Sequence, residues 1–221
     1  MTSTLQSESV SVVLQRLLTT EAENDPQAYV DLGVTGFPTH LDTGQRADLF
    51  KDVYMSVSSG TGELLYLLAR AIGARTVVEY GTSFGVSTIY LASAVRDNGG
   101  GTVIGTELQP EKAAAAQRNF DEAGVADLID LRVGDALSTL DEVPGPIDLL
   151  LLDGWPDLAL PILRLLESSL RPGSLILVDD VDMDWGSDVH GALLAYLADP
   201  ANGYQSVKVP MGDGIQACVR L

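Results

Sequence analysis

From Thr76 to the C-terminus, apolar runs of strand length alternate with segments in which apolar residues recur at helical spacing. This alternation predicts an α/β fold, in which a mostly parallel sheet has helices on both faces. The predicted strands cover residues 76–80, 102–107, 129–133, 147–153, 174–179, 204–209 and 214–219. The predicted helices cover residues of about 85–96, 110–123, 157–170 and 187–198, with Pro110 at a helix start and Pro172-Gly173 at a helix stop.

The last two predicted strands are separated only by residues Pro210–Asp213. A parallel crossover needs about a dozen residues or more, so this short connection predicts an antiparallel pair. We therefore expect a seven-stranded sheet that is mostly parallel and ends in an antiparallel C-terminal hairpin.

The residues before the first predicted strand follow a less regular pattern. Residues 8–20 have the apolar rhythm of a helix, whereas residues 24–41 hold two prolines and two glycines and are expected to form an irregular connector. Helices are expected at about 43–54 and 63–72, on either side of a turn-rich break at 55–62. The pattern contains no repeat and no sign of a second domain.

Composition narrows the class of partner. The chain has 31 acidic and 13 basic residues and a formal net charge of −18, which argues against nucleic acid and anionic membranes as partners. Cys218 is the only cysteine, so no intrachain disulfide can form. The sequence has no apolar run of about 18 residues and no N-terminal signal pattern. We expect a cytoplasmic protein.

The segment TVVEYGTSFGVS, residues 76–87, predicts a buried strand, a glycine turn and the start of a helix, which together can hold a nucleotide. Gly81 and Gly85 are separated by three residues, whereas a dinucleotide-binding turn has the spacing G-x-G-x-x-G. This spacing counts against a pyrophosphate ligand and a nicotinamide-dependent oxidoreductase. Glu79 is placed to face a cationic group, and Glu107 ends the next strand, where a carboxylate can accept both hydroxyls of a ribose.

Acidic residues follow the ends of further predicted strands, and Asp153, Asp179 and Asp180 belong to adjacent ones. Ligands of open α/β sheets bind at the carboxyl ends of the strands, so these three carboxylates should converge. Their mutual repulsion needs a proton or a cation in compensation, and carboxylate oxygens suit Mg²⁺. Aspartates also end strands because they suit turns and helix caps, and that interpretation stays open.

Four parts of the chain together resemble one family: MSVSSGTGELLYLL, VVEYGTSFGVST, LLLLDGWPD with LRPGSLILVDDV, and KVPMGDGIQACVR. They are similar to class I S-adenosylmethionine-dependent methyltransferases, and specifically to the catechol and caffeoyl-CoA type O-methyltransferases. The resemblance runs from about Met55 to Leu221. It implies a Rossmann-like single domain over residues 1–221, with a helical N-terminal cover at 1–55 and a cofactor-binding core at 56–221.

The resemblance also implies the site residues. Those expected at the cofactor are Val57; Glu79, Gly81, Ser83 and Ser87 on the methionine side; Glu107 at the ribose; Asp135, Ala136 and Trp155 around the adenine; and Asp153. Those expected at a Mg²⁺ or similar divalent cation are Asp153, Asp179 and Asp180. The implied reaction is methyl transfer from S-adenosylmethionine to a hydroxyl of a small molecule, with assistance from the metal.

Two positions depart from the family pattern. The family has asparagine where this chain has Asp180, and the catechol-type enzymes have a lysine base near the place of Pro156. Proline cannot exchange a proton, so the catalytic base is left unassigned. A metal-independent O- or N-methyltransferase with His40, His190 or an aspartate as base stays open, as does a non-catalytic cofactor-binding protein.

The acceptor molecule is not named by any motif. Trp185, beside the acidic residues, is a candidate wall for an aromatic acceptor, and loop packing is an equally good interpretation of it. The apolar N-terminal helix leaves a homodimer open.

Overall fold

The computed structural model describes residues 3–33 and 36–221. Its seven strands are β1 (Thr76–Tyr80), β2 (Thr102–Glu107), β3 (Ile129–Val133), β4 (Ile147–Leu152), β5 (Leu170–Val178), β6 (Tyr204–Val209) and β7 (Ile215–Arg220). They form one sheet in the order β3-β2-β1-β4-β5-β7-β6. The first five in this order are parallel, and β7 is antiparallel to both β5 and β6. The predicted fold class and hairpin are confirmed.

The helices are α1 (Glu8–Leu32), α2 (Thr43–Leu49), α3 (Ser59–Ala71), α4 (Val86–Asp97), α5 (Pro110–Ala123), α6 (Ala136–Thr139), α7 (Pro156–Leu166) and α8 (Gly191–Ala198). Successive strand residues point to opposite faces, so Val77 and Leu149 pack with α1, α3, α4 and α5. Val78 and Leu150 pack on the other face with α6, α7 and α8. Because both faces are covered, β1 and β4 are buried along almost their whole length.

The order of the strands creates a switch point. The chain runs outward from β1 through β2 to β3, and then returns to β4 on the other side of β1. The connections that leave β1 and β4 therefore diverge, and a crevice opens between them at the carboxyl ends of the strands. This crevice is where the predicted site residues are brought together.

The N-terminal helix is longer than predicted. α1 continues through Pro26 to Leu32, so the expected irregular connector was wrong up to that residue. Gly33 ends the helix in the left-handed conformation, with φ 63°, and its N–H donates to the carbonyls of Tyr29 and Val30. Val34 and Thr35, which also fall in the predicted connector, lie outside the described residues.

Other element boundaries also differ. α2 ends at Leu49 rather than near Tyr54, and α6 was not predicted. α7 ends at Leu166, and Pro172-Gly173 does not stop it but lies inside β5. The register between β4 and β5 shifts at this place, and a proline without an N–H is tolerated where the ladder is interrupted.

Within the two described ranges, we find no helix with the length and apolar character of a membrane span.

Candidate functional site

A cleft opens at the carboxyl ends of β1, β2 and β4. The space between its walls, including the part open to solvent, is about 980 Å³. Its walls contain nine of the ten residues predicted at a cofactor: Val57, Gly81, Ser83, Ser87, Glu107, Asp135, Ala136, Asp153 and Trp155. These nine residues therefore lie together at one cleft, and their contact with a cofactor stays a prediction.

The glycine turn brings the backbone close to the neighbouring strand. Gly81 has φ 95°, and a Cβ on it would overlap the backbone carbonyl of Asp153. Gly85 has φ 91°, and a Cβ there would overlap the ring of Phe120. Both positions therefore need glycine, which accepts a positive φ without steric cost and leaves room for the neighbouring groups.

Glu107 is held in one orientation at the end of β2. Its Oε2 accepts a hydrogen bond from the Ser83 backbone N–H at 2.8 Å, and its Oε1 accepts one from the Gln109 backbone N–H, also at 2.8 Å. A carboxylate has about four lone-pair sites, so acceptor capacity remains on both oxygens. The geometry suits a pair of vicinal hydroxyls on the cleft side.

Glu79 lies behind the glycine turn and not in the cleft wall. Its side chain is fully buried, and its Oε2 accepts hydrogen bonds from the hydroxyls of Thr82 and Thr88. Its Oε1 has no hydrogen-bond partner among the described residues. Burial raises the pKa of the Glu79 carboxyl, and the charge of Glu107 raises it further. The predicted contact of Glu79 with a cofactor stays a prediction.

The opposite wall of the cleft is aromatic. Trp155 has its ring centroid 5.6 Å from that of Phe50 and 6.1 Å from that of Phe37. The Arg46 guanidinium lies over Trp155 and Phe37, at 5.1 Å and 4.6 Å from the ring centroids, and donates to Asp157 at 2.8 Å. These contacts fix Trp155 at the place where the resemblance puts an adenine.

The three strand-end aspartates are electrostatically coupled. Asp153 and Asp180 line the cleft, whereas Asp179 is buried beside it with Oδ1 unpartnered among the described residues. Burial, together with Asp179 and Asp180, raises the pKa of Asp153 well above its usual range. Burial raises the pKa of Asp179 to about 6 and, with the charge of Asp179, that of Asp180 to about 7. Such a cluster favours bound protons or a cation.

The side chains are not arranged as a preformed metal site. Across residues 3–33 and 36–221, no group of three or more His, Cys, Asp or Glu side chains is positioned to hold a metal ion. The carboxylate donors and the unpartnered Asp179 oxygen suit a hard cation in their chemistry. The predicted convergence of Asp153, Asp179 and Asp180 thus holds for their charges and not for a ligand set of three.

Two features of the acidic end were missed from the sequence. Asp213, in the turn before β7, raises the pKa values of Asp179 and Asp180. Backbone hydrogen bonds join this turn to the acidic loop, which covers residues 179–190 between β5 and α8. They run from Val181 N–H to the Gly214 carbonyl and from Asp182 N–H to the Asp213 carbonyl. No local pattern identifies such a contact, because it depends on how the C-terminal hairpin packs.

Trp185 lies beside the acidic residues, where its indole N–H donates to the Asp180 carbonyl at 3.4 Å. It lines the cleft, and its ring meets that of Phe37 edge-on at 5.6 Å. The Phe37 backbone N–H donates to the Trp185 carbonyl at 2.7 Å. The acidic loop and the N-terminal segment are thereby joined across the opening.

The candidate bases differ in their access to the cleft. Pro156 is buried at the start of α7 and has no side-chain group that can accept or donate a proton. His190 is buried, and burial lowers its pKa, but it does not line the cleft. His40 is exposed and also lies outside the cleft wall. Of the candidates raised by the sequence, only Asp153 and Asp180 reach the acidic end of the cleft.

Lys112 was also missed. It lies in the first turns of α5, is buried and lines the cleft near Glu107. In the sequence it has the pattern of an ordinary charged residue at a helix start. Only the packing of α5 against the glycine turn shows that it points inward.

Several known proteins are similar to this chain in sequence. Residues 78–181 match a family described as a methyltransferase domain. A catechol O-methyltransferase from Mycobacterium tuberculosis is 36% identical over 159 residues, which is 71% of this chain and 71% of that protein.

Two solved structures extend the similarity to the fold. An O-methyltransferase from Bacillus cereus in complex with S-adenosylhomocysteine (SAH) has a TM-score of 0.69 and 25% identity, covering 95% of this chain and 91% of that one. An O-methyltransferase from Streptomyces achromogenes in complex with S-adenosylmethionine has a TM-score of 0.66 and 25% identity, covering 90% and 98%.

Proposed function

The chain belongs to the class I S-adenosylmethionine-dependent O-methyltransferases, and from this premise we propose that it methylates a hydroxyl of a small molecule with the help of a divalent cation. The observation that carries the proposal is that the two ends of one cleft are lined by residues of different chemistry. Glu107, held by two backbone amides, lies at one end, and the acidic residues Asp153 and Asp180 lie at the other beside Trp185. The first end suits a nucleoside and the second a hydroxylated acceptor.

The main task of the chain is to position the two reactants. S-adenosylmethionine supplies a methyl group on a sulfonium, and transfer to oxygen is an in-line displacement. In the proposed arrangement Glu107 accepts hydrogen bonds from the ribose hydroxyls, and Trp155 packs against the adenine. The Asp153 backbone lies against the glycine turn, and its carboxylate, in the cleft wall, would oppose the charge of a sulfonium. Fixing donor and acceptor in this way can contribute up to about 7–11 kcal/mol to catalysis.

The acidic end is the part that suits a cation. Asp153 and Asp180, which line the cleft, and Asp179, whose buried Oδ1 has no partner among the described residues, would supply the negative charge that attracts it. A divalent ion in this place would orient an acceptor hydroxyl and lower its pKa. Asp180, where relatives of the catechol type have asparagine, supplies one more negative charge to such an ion.

A second candidate is methyl transfer to oxygen or nitrogen without a metal. The observation that favours it is the lack of a three-residue metal site among the described side chains. The base would then be Asp153 or Asp180, because neither histidine lines the cleft.

Methyl transfer from S-adenosylmethionine to a panel of phenols and catechols, with and without EDTA, tests the proposal. We expect turnover to be lost in EDTA and restored by Mg²⁺, and Asp179→Ala to reduce it by at least tenfold. Asp141→Ala, at an exposed position outside the cleft, serves as the control and should leave turnover unchanged. Full turnover in EDTA would indicate the metal-independent reaction. SAH binding without transfer to any acceptor would indicate a non-catalytic cofactor-binding protein.

A further inference from the structure

Lys112 is a buried cation that the proposed reaction does not use. We propose that its ammonium group is a further cofactor contact. It donates a hydrogen bond to a ribose hydroxyl, and the same hydroxyl donates a hydrogen bond to Glu107. The inference rests on the proposed function, since it requires the nucleoside of the cofactor to lie at Glu107.

The position of Lys112 is the first part of the argument. Its side chain is 4% exposed and lines the cleft. Its Nζ donates to the Ser83 hydroxyl at 3.3 Å, and Ser83 also donates its backbone N–H to Glu107. Ser83 thus contacts both groups, the ammonium through its hydroxyl and the carboxylate through its backbone N–H.

The hydrogen bonds of the ammonium are incomplete. An ammonium has three N–H donors, and the single hydrogen bond of Lys112 is long. None of the ion pairs among the described residues includes Lys112. The Phe84 ring, with its centroid 5.4 Å from Nζ, offers only a cation–π contact. Two donors therefore have no oxygen or nitrogen partner among the described residues, which is costly for a buried charge.

The surrounding charges come from three parts of the chain. Glu107 ends β2, Asp25 belongs to α1, and Asp52 lies between α2 and α3, and all three favour the charged form of Lys112. Burial outweighs them and lowers the pKa of Lys112 to about 8. The ammonium is therefore mostly charged at neutral pH and only weakly stabilised.

A hydroxyl group complements both side chains at once. An ionised carboxylate only accepts hydrogen bonds, and an ammonium only donates them, whereas a hydroxyl does both. A ribose hydroxyl that donates to Glu107 can therefore accept from Lys112 through its free lone pair. The two residues together would recognise the diol by its donor and its acceptor character.

Titration calorimetry of SAH with the wild-type protein and with Lys112→Met tests the contact. Methionine keeps the length and apolar stem of the side chain and removes the charge. We expect the affinity for SAH to fall by about tenfold to a hundredfold, the usual effect of a hydrogen bond to a charged group. Lys51→Met, at an exposed position outside the cleft wall, is the matched control and should bind as the wild type does.

Deoxy analogues separate a direct contact from a structural effect. The 2′-deoxy and 3′-deoxy forms of SAH are titrated into both proteins, which gives a double-mutant cycle for each hydroxyl. We expect one hydroxyl to lose most of its contribution in Lys112→Met. Additive losses for both hydroxyls would overturn the inference, as would unchanged SAH affinity in a folded Lys112→Met.

The pH profile gives an independent readout. Binding that uses the charged ammonium should weaken in the wild type as the pH rises through about 8. Lys112→Arg, which stays charged, should lose this step. The same step in Lys112→Met would contradict the inference. Failure of the wild-type protein to bind SAH would overturn both this inference and the proposed function, whereas wild-type binding without an effect of Lys112 would overturn the inference alone.

Discussion

At the scale of single residues, the cleft depends on a backbone position that has no room for a side chain. Gly81 combines a positive φ with close approach to the Asp153 carbonyl. Gly99 has a similar φ of 91° but no atom within 4 Å of where a Cβ would lie. The two glycines therefore have a similar positive φ but differ in how closely other atoms approach them.

Gly81→Ala should destabilise the protein more than Gly99→Ala. We expect about 1–2 kcal/mol of lost unfolding free energy for Gly99→Ala, from the backbone strain alone. Gly81→Ala should lose about 1–3 kcal/mol more, because the new methyl overlaps the Asp153 backbone. Urea denaturation of both variants measures this difference. Equal losses would show that the close approach at Gly81 has no energetic role.

The acidic cluster should make the metal-free protein less stable as the pH rises. Asp179 and Asp180 have pKa values of about 6 and about 7 in the folded state, against 3.8 ordinarily. Between these limits the folded state binds more protons than the unfolded state. The free energy of unfolding contributed by these groups therefore falls from about pH 4 to about pH 7.

Asp180→Asn should remove much of this loss. Asparagine tolerates the positive φ of 60° at this position and carries no charge. In EDTA at pH 8 we expect its Tm to exceed that of the wild type by roughly 2–6 °C, and the two values to approach each other near pH 4. Asp184→Asn, at an exposed position, is the control. A Tm difference that does not depend on pH would show that ionisation of the acidic cluster is not the cause of the lost stability.

The sequence predicts some of these residues and misses others for a physical reason. Glu107, Asp153 and Asp179 end apolar runs, and the ends of parallel strands share one edge of a sheet. Their proximity follows from the pattern alone. The burial of Lys112 depends on Phe84, which is distant in sequence, and no periodicity carries that information.

At the scale of elements, α1 shapes the cleft without lining it. Asp25 is buried and accepts the backbone N–H groups of Tyr54 and Met55 at 3.0 Å and 2.9 Å. Glu21 accepts that of Ser56 at 2.9 Å. Met55 and Ser56 line the cleft, so the helix holds the backbone of one wall in place.

Asp25→Ala should therefore weaken both folding and cofactor binding. Removal of the carboxylate leaves two amides without acceptors, at a cost of about 2–4 kcal/mol in unfolding free energy. We also expect a loss of SAH affinity of at least fivefold, measured by calorimetry at a temperature where the variant is folded. Glu23→Gln, at an exposed position on the same helix, is the control. Unchanged affinity in folded Asp25→Ala would show that α1 does not control this wall.

Sequence patterns predicted the strands better than the N-terminal helices. A central parallel strand is apolar along its length, as in β4, and such a run is easily recognised. Pro26 suggests a break, yet α1 continues through it. Its tertiary contacts supply the reason, since Asp25 is tied to the segment after α2. Contacts of this kind override the local helix propensity, and they cannot be inferred from the neighbouring sequence.

At the scale of the whole molecule, the strand order gathers the functional groups. The return of the chain to β4 beside β1 opens the crevice that holds Gly81, Glu107 and Asp153. The resemblance inferred from the sequence is confirmed by the M. tuberculosis relative and by the two solved O-methyltransferases. The identity of the acceptor does not follow from the sheet, because Trp185, which lines the cleft, and Phe37, which contacts it, lie in irregular segments.

The central claim is that this cleft binds the adenosyl cofactor through Glu107. Calorimetric titration of the purified protein with SAH, alongside Glu107→Ala, is the most direct test. We predict a single saturable site in the wild type and a loss of at least tenfold in affinity for the variant. Absence of binding at millimolar SAH in the folded wild-type protein, or equal affinity in Glu107→Ala, would contradict the account.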